Sequence, residues 1–242
     1  MFLLFLNKIF FIMKVTFLSD THCRHNKINL PGGDLLCFCG DFSGSGWDIS
    51  EAIYFRDWIS KQNYKHILIC SGNHDRMMEA MPYYQGKDFF EINENIHYLH
   101  NESIEIMGLK CYATADQPNF CNWAFNRTSD ELDMSYSQIP ENLDILITHC
   151  PIKNILDKSH IKSYRNPTGE EPLGSEELRL RLEEMSNPPR YHCFGHIHGD
   201  GGKMETIGST TYINASVCNE AYQPINKIIT LEIESKQNEV EN

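Results

Sequence analysis

The chain has 242 residues, 41% of them apolar, which is long enough for one large domain with a sizeable core. Its formal charge is -12, from 33 acidic and 21 basic side chains, and no basic block or stripe stands out, which argues against an obligatory nucleic-acid partner. Nine cysteines, odd in number and without a CxxC pair, do not read as a disulfide framework at this length; they point to a reduced, cytoplasmic protein.

The opening segment MFLLFLNKIFFIM is apolar but broken by Asn7 and Lys8, too short to span a bilayer and without a small-residue cleavage site. Residues 1–13 are therefore set apart as an N-terminal extension, for which an upstream start, a membrane-surface segment and an added strand or helix stay open. Short apolar runs then recur at 15–18, 35–39, 66–70, 145–148 and 191–194, each bounded by Gly, Asp or Asn, and they read as buried strands. Cys37, Cys39, Cys70 and Cys193 lie inside these runs, where a thiol behaves as a small hydrophobe. Residues 51–62 place Ala52, Phe55, Trp58 and Ile59 on one helical face, with Asp48 and Glu51 as a capping box. Residues 175–186 do the same with Leu178, Leu182 and Met185, with Ser175 as N-cap and Pro188 and Pro189 as the stop. Strands alternating with helices predict a mostly parallel α/β sheet. The stretch 203–233 is β-rich without a helical pattern, so the sheet system is expected to finish with antiparallel strands. With no repeat and no linker, one domain is expected over residues 14–235, followed by a polar tail at 236–242.

Nearly every apolar run ends in side chains that bind cations, and ligands of open α/β sheets sit beyond the carboxyl ends of the strands. Asp20 and His22 follow the first run; strand alternation would put both on one side. Asp41 follows Gly40, and a carboxylate there can bridge two ions about 3.5–4 Å apart. Taken singly, a turn aspartate capping local amides accounts for Asp41 equally well. Gly72-Asn73-His74-Asp75 is the sharpest string: Asn73 offers a neutral oxygen, His74 an imidazole for the substrate space, and Asp75 an acceptor for its other ring nitrogen. His149 ends another run, and His196 and His198 at period two are hard to satisfy when buried without a metal.

Other residues carry less. Trp123 and Phe125 could wall a nucleobase pocket by stacking, although core packing suits them as well. Arg24 and His25 read as a solvated loop, and His97, His100, His160 and His192 as structural or exposed. Cys23 and Cys150, each beside a candidate histidine, read as packing residues.

Together the blocks DxH, GD, GNHD, H and GHxH, in this order, resemble the calcineurin-like metallophosphoesterase superfamily over about residues 14–232. LLCFCGDFSGSG, WAFNR, DILITHCPI, FGHIHGDGG and INAS resemble its metallophosphoesterase-domain-containing branch. The resemblance implies a four-layer α/β/β/α sandwich and two metal ions, divalent or trivalent, drawn from Mn, Fe or Zn. Asp20, His22 and His198 would hold one ion, Asn73, His149 and His196 the other, and Asp41 would bridge. A metal-bound hydroxide would attack phosphorus while His74, oriented by Asp75, stabilises the phosphoryl oxygens or protonates the leaving alkoxide. The implied substrate is a small phosphodiester such as a cyclic nucleotide. The alternatives are a phosphomonoesterase or phosphoprotein phosphatase on the same core, and a non-catalytic scaffold. The chain departs from the branch between Cys111 and Trp123 and at Ser175, which leaves the candidate ligands intact and touches substrate preference. No transmembrane segment is expected, and the oligomeric state is left open.

Overall fold

The apolar runs form strands because their side chains are covered on both faces: Leu35, Leu36, Cys37, Phe38 and Cys39 are all fully buried. The computed structural model describes residues 9–163 and 166–237. Residues 1–8 of the extension and 238–242 of the tail lie outside the described residues. In chain order the strands are β1 (Ile9–Leu18), β2 (Gly33–Cys39), β3 (Tyr64–Cys70), β4 (Ile96–Tyr98), β5 (Glu102–Ile106), β6 (Leu109–Thr114), β7 (Gln117–Pro118), β8 (Asn126–Arg127), β9 (Ile145–Thr148), β10 (Tyr191–Phe194), β11 (Lys203–Ile207), β12 (Thr210–Asn214) and β13 (Ile229–Gln237). The helices are α1 (Ile49–Ile59), α2 (Arg76–Ala80), α3 (Tyr83–Phe90), α4 (Ser129–Ser137) and α5 (Glu176–Glu184).

Two large sheets result. The first has the order β13-β1-β2-β3-β4, parallel from β1 to β4, with β13 antiparallel on one edge. The second has the order β11-β12-β10-β9-β6-β5, parallel in its centre and antiparallel at both edges. Residues of both sheets share one core, where Phe17, Cys37 and Ile69 meet Cys111, Ile147 and Cys193. On the outer side of the first sheet, α1 buries Ala52, Phe55 and Ile59 beside Phe90 of α3. On the outer side of the second, Leu132 and Tyr136 of α4 pack with Leu178 and Leu182 of α5. Each such large side chain contributes roughly 1.5–3 kcal/mol by leaving water. The layers therefore run helix, sheet, sheet, helix, and the fold is α/β.

Two local details differ from the sequence expectation, and a third selects the strand among the alternatives left open for the extension. β1 begins at Ile9, so residues 9–13 of the extension are strand, paired from Ile9 with Gln237 to Met13 with Ile233. β12 is antiparallel to β11 but parallel to β10, so the end of the chain is not purely antiparallel. Asp48 does cap α1, accepting from the Ser50 N–H at 2.9 Å, but Glu51 does not complete a capping box. Its carboxylate accepts from the N–H groups of Gly44, Ser45 and Gly46 instead. No helix among the described residues is long and apolar enough to cross a membrane.

Candidate metal centre

The loops after β1, β2 and β3 in one sheet meet those after β9 and β10 in the other. The backbone stitches the first two together: Asp20 N–H donates to Gly40 O at 2.9 Å and His22 N–H to Asp41 O at 3.1 Å. Asp20, His22, Asp41 and His196 all have left-handed backbones, with φ of 56°, 39°, 59° and 67°. Strand alternation is therefore not what gathers the donors. Asp20 and His22 lie past the end of β1 in a turn, and His198 opens a short 3₁₀ turn, so neither histidine-containing pair occupies an extended segment. Such strained conformations for residues other than glycine concentrate at functional sites. Glycines let the loops close: a Cβ on Gly40 would sit 2.7 Å from His149 Nδ1, and one on Gly195 would sit 2.1 Å from Asp20 Oδ2.

The side chains fall into two groups about a shared carboxylate. On one side, His198 Nε2 lies 3.2 Å from Asp20 Oδ1 and 3.1 Å from His22 Nε2. On the other, Asn73 Oδ1 lies 2.8 Å from His149 Nε2 and 2.7 Å from His196 Nδ1. Asp41 Oδ2 stands between them, 3.8 Å from His22 Nε2 and 3.4 Å from His149 Nε2. Asp20, His22, Asp41, Asn73 and His149 are all buried.

This donor set fits cations. His22 Nδ1–H donates to Ser43 O at 3.0 Å, His149 Nδ1–H to Cys39 O at 2.8 Å and His198 Nδ1–H to Asn219 O at 3.1 Å. Carbonyls only accept, so each neutral ring presents its Nε2 lone pair inward. The His22 and His198 lone pairs then face each other, an arrangement that positive charge between them would relieve. The field favours such charge. Against the cost of burial, the Asp41 carboxylate raises His149 to about 9, and His198 and His22 hold Asp20 well below the usual carboxylate range. Desolvation and then the neighbouring His149 push His196, half-buried at the cleft floor, down to about 3, and it stays a neutral donor.

Comparison with known proteins decides the family. The model of the calcineurin-like phosphoesterases matches residues 13–200. The chain belongs to this family. Metallophosphoesterase domain-containing protein 1 of Homo sapiens is 35% identical over 240 residues, covering 91% of this chain and 71% of its own length. UPF0046 protein C25E10.12 of Caenorhabditis elegans is 32% identical, covering 92% of this chain and 81% of its own length. The solved structure of TT1561 of Thermus thermophilus superposes with a TM-score of 0.57 at 11% identity, over 92% of this chain and 99% of its own, a likeness of fold alone. Membership of the calcineurin-like phosphoesterases implies a dinuclear metal centre, and Asp20, His22, Asp41, His74, His149 and His198 form candidate ligand groups.

Around these donors the expected roles divide. His74 points its Nε2 toward Asp41 Oδ2 at 4.0 Å, and its Nδ1–H donates to Gly44 O. Asp75 is not the acceptor for His74. Its carboxylate takes the N–H groups of Gly72 at 2.8 Å, Asp41 at 2.9 Å and Ser43 at 3.0 Å, tying the loops after β2 and β3 together. Burial and the neighbouring Asp41 push the Asp75 carboxyl up to about 7 against those three bonds. Sequence reasoning set Glu51 in a helix cap and missed that it shapes the loop that carries Gly44 O; three successive N–H donors in a glycine-rich turn just ahead of a helix were the available sign.

A cleft of about 710 Å³ opens from the donors, its floor including Asp41, Asn73, His74, His196 and His198. Trp123 lines it, with the His74 ring stacked on the indole at 4.0 Å and the Arg76 guanidinium 4.4 Å from its centre. Phe125 does not line it: at 3% exposure it packs in the core against His100, so a base-stacking role is excluded for that ring. His25 is likewise buried among Tyr54, Phe55 and Trp58 rather than solvated. His192 is buried, His97 pairs with His66, His100 lies beside Asp116, and His160 is exposed. All nine cysteines are free; Cys150 is buried at the cleft wall and Cys23 is half-buried.

Proposed function

We propose that this calcineurin-like phosphoesterase is a cytoplasmic dinuclear metallophosphodiesterase acting on small phosphodiesters such as cyclic nucleotides. Asp20, His22 and His198 would hold one ion, Asn73, His149 and His196 the second, and Asp41 would bridge, with Mn, Fe or Zn all suited to this mixture of oxygen and nitrogen donors. Bound there, two ions supply Lewis acidity toward a phosphoryl oxygen and an activated water. The residues of the chain do the rest. Asp20 and Asp41 would supply the negative charge that fixes the ions, and the carbonyls of Ser43, Cys39 and Asn219 accept from the Nδ1–H of three imidazoles, the tautomer that would ligate through Nε2. With its Nδ1–H donated to Gly44 O, His74 has Nε2 as the atom that gives or takes a proton at the ester oxygen.

The charge of the cleft wall carries the diester reading. Among the described residues, Lys153 is the one lysine or arginine lining the cleft, and it already faces Glu176 at 3.8 Å. A monoester carries about -1.5 to -2 at neutral pH, a diester only one negative charge, so the little positive charge on the described part of the wall suits the diester. The phosphomonoesterase and phosphoprotein phosphatase alternatives call for more cationic surface.

The test is hydrolysis of bis(p-nitrophenyl) phosphate beside p-nitrophenyl phosphate by metal-stripped protein with Mn²⁺ restored. Metal-dependent turnover favouring the diester is expected. Preference for the monoester would replace this reading with the phosphatase, and two bound ions without turnover of either ester would point to a scaffold.

A further inference from the structure

Tyr222 is a side chain in the cleft for which the assigned chemistry has no use. Its ring lies 4.8 Å from His22, 5.3 Å from His198 and 6.5 Å from His74, so it leans over the donor group of Asp20, His22 and His198. It lines the cleft and is 41% exposed. Among the described residues, its hydroxyl makes no hydrogen bond to a protein group.

The backbone keeps it there at a cost. Tyr222 has φ of 56°, a left-handed conformation that a bulky side chain adopts only when its surroundings impose it. Asn219 imposes it: Tyr222 N–H donates to Asn219 O at 2.8 Å, while Asn219 Oδ1 accepts from Ala221 N–H at 3.0 Å and Gln223 N–H at 2.9 Å. The same Asn219 O accepts from His198 Nδ1 at 3.1 Å, so the turn that aims the tyrosine is built against a candidate ligand. The ring packs by its edge on the candidate histidines and leaves the rest of its surface to the cleft, where a ligand can meet it.

We infer that Tyr222 is a substrate contact, the surface on which the ester group retained by phosphorus packs. The inference rests on the phosphodiesterase reading. If His74 protonates the leaving oxygen, the leaving group lies on the His74 and Trp123 side of the donors. The second ester group then has the adjoining wall of the cleft, where Tyr222 stands over His22 and His198 beside His74. A monoester has no such group. Tyr222 thus discriminates a diester from a monoester by apolar contact, where the cleft wall discriminates by charge.

Two variants separate the ring from the turn. Tyr222→Asn removes the ring but keeps a residue that adopts the left-handed turn readily, and Tyr222→Phe keeps the ring. Both are compared with the unaltered protein on bis(p-nitrophenyl) phosphate, methyl p-nitrophenyl phosphate and p-nitrophenyl phosphate, which release the same phenolate. Affinity is followed by titration calorimetry as well as turnover, and metal content by elemental emission. Tyr222→Asn is expected to raise KM and Kd for the bis-aryl diester about five- to tenfold, the range of an aromatic contact, with kcat, the monoester constants and metal content little changed. Tyr222→Phe should match the unaltered protein. If the unaltered protein favours the diester and Tyr222→Asn keeps that preference in full, this inference fails and the phosphodiesterase reading stands. An equal loss on all three esters, or lost metal, makes Tyr222 a structural residue. If the unaltered protein neither binds nor cleaves the diester preferentially, both fall.

Discussion

His74 and Asp75 are neighbours with separate tasks, and variants should tell them apart. On the proposed assignment, His74→Ala removes the proton at the ester oxygen while leaving the seven other donors in place. Its kcat should fall about 10²–10⁴-fold with unchanged metal content, measured by turnover and elemental emission on the same sample. Asp75→Asn acts on the frame, because the N–H groups of Gly72, Asp41 and Ser43 lose a charged acceptor. A loss of roughly 3 kcal/mol is expected in urea unfolding, with the pH profile of the surviving activity unmoved. A displaced profile at full stability would return Asp75 to the role of orienting His74. At this scale the types of the candidate residues are legible in the sequence, since Asp, Asn and His at strand ends announce a cation site. Their partners are not. Which acceptor faces His74 Nδ1 depends on a loop that Glu51 folds from seven residues away, and no local pattern encodes that choice.

At the scale of elements, helix ends provide a clean measurement. Thr128 caps α4 by accepting from Glu131 N–H while the Glu131 carboxylate accepts from Thr128 N–H at 2.8 Å. Thr128→Ala should cost about 1 kcal/mol in thermal or urea unfolding without altering metal content, and a cost near zero would mean that packing of Leu132 and Tyr136 alone fixes the helix. This T-x-x-E signal stands in the sequence, yet the weak apolar pattern of Ser129–Ser137 behind it does not announce a helix. The long apolar runs are legible as strands, since burial on both faces leaves an unmistakable composition. The division of those strands between two sheets is not legible: it depends on long-range pairing, such as β13 with β1, that no periodicity records.

Across the whole molecule, acid should act first on buried imidazole. His192 is fully buried with Nε2 at 2.8 Å from Thr148 Oγ1, and burial pushes it down to about 3. Unfolded, its pKa is about 6.5. Between those values the unfolded chain binds a proton that the folded chain refuses. The associated stability is therefore complete above about pH 6.5 and is lost as pH falls toward 3, with a slope of about 1.4 kcal/mol per pH unit. Urea unfolding of metal-stripped protein between pH 6 and 4.5 should lose stability with falling pH, and His192→Gln should lessen the slope by about 1.4 kcal/mol per pH unit, the share of this one imidazole beside other buried histidines such as His25 and His196; equal slopes would refute the linkage.

The two halves of the donor set also belong to a question of time. Asp20, His22, Asp41 and Asn73 follow strands of one sheet, and His149, His196 and His198 follow strands of the other. Neither half can chelate well until the sheets have closed on each other, and that closure joins residues far apart in the chain. A cation then has its full grip only on the native side of the folding barrier. It should leave the refolding rate almost untouched and slow unfolding instead, so that the metal governs how long each folded molecule lasts and hardly at all how fast it forms.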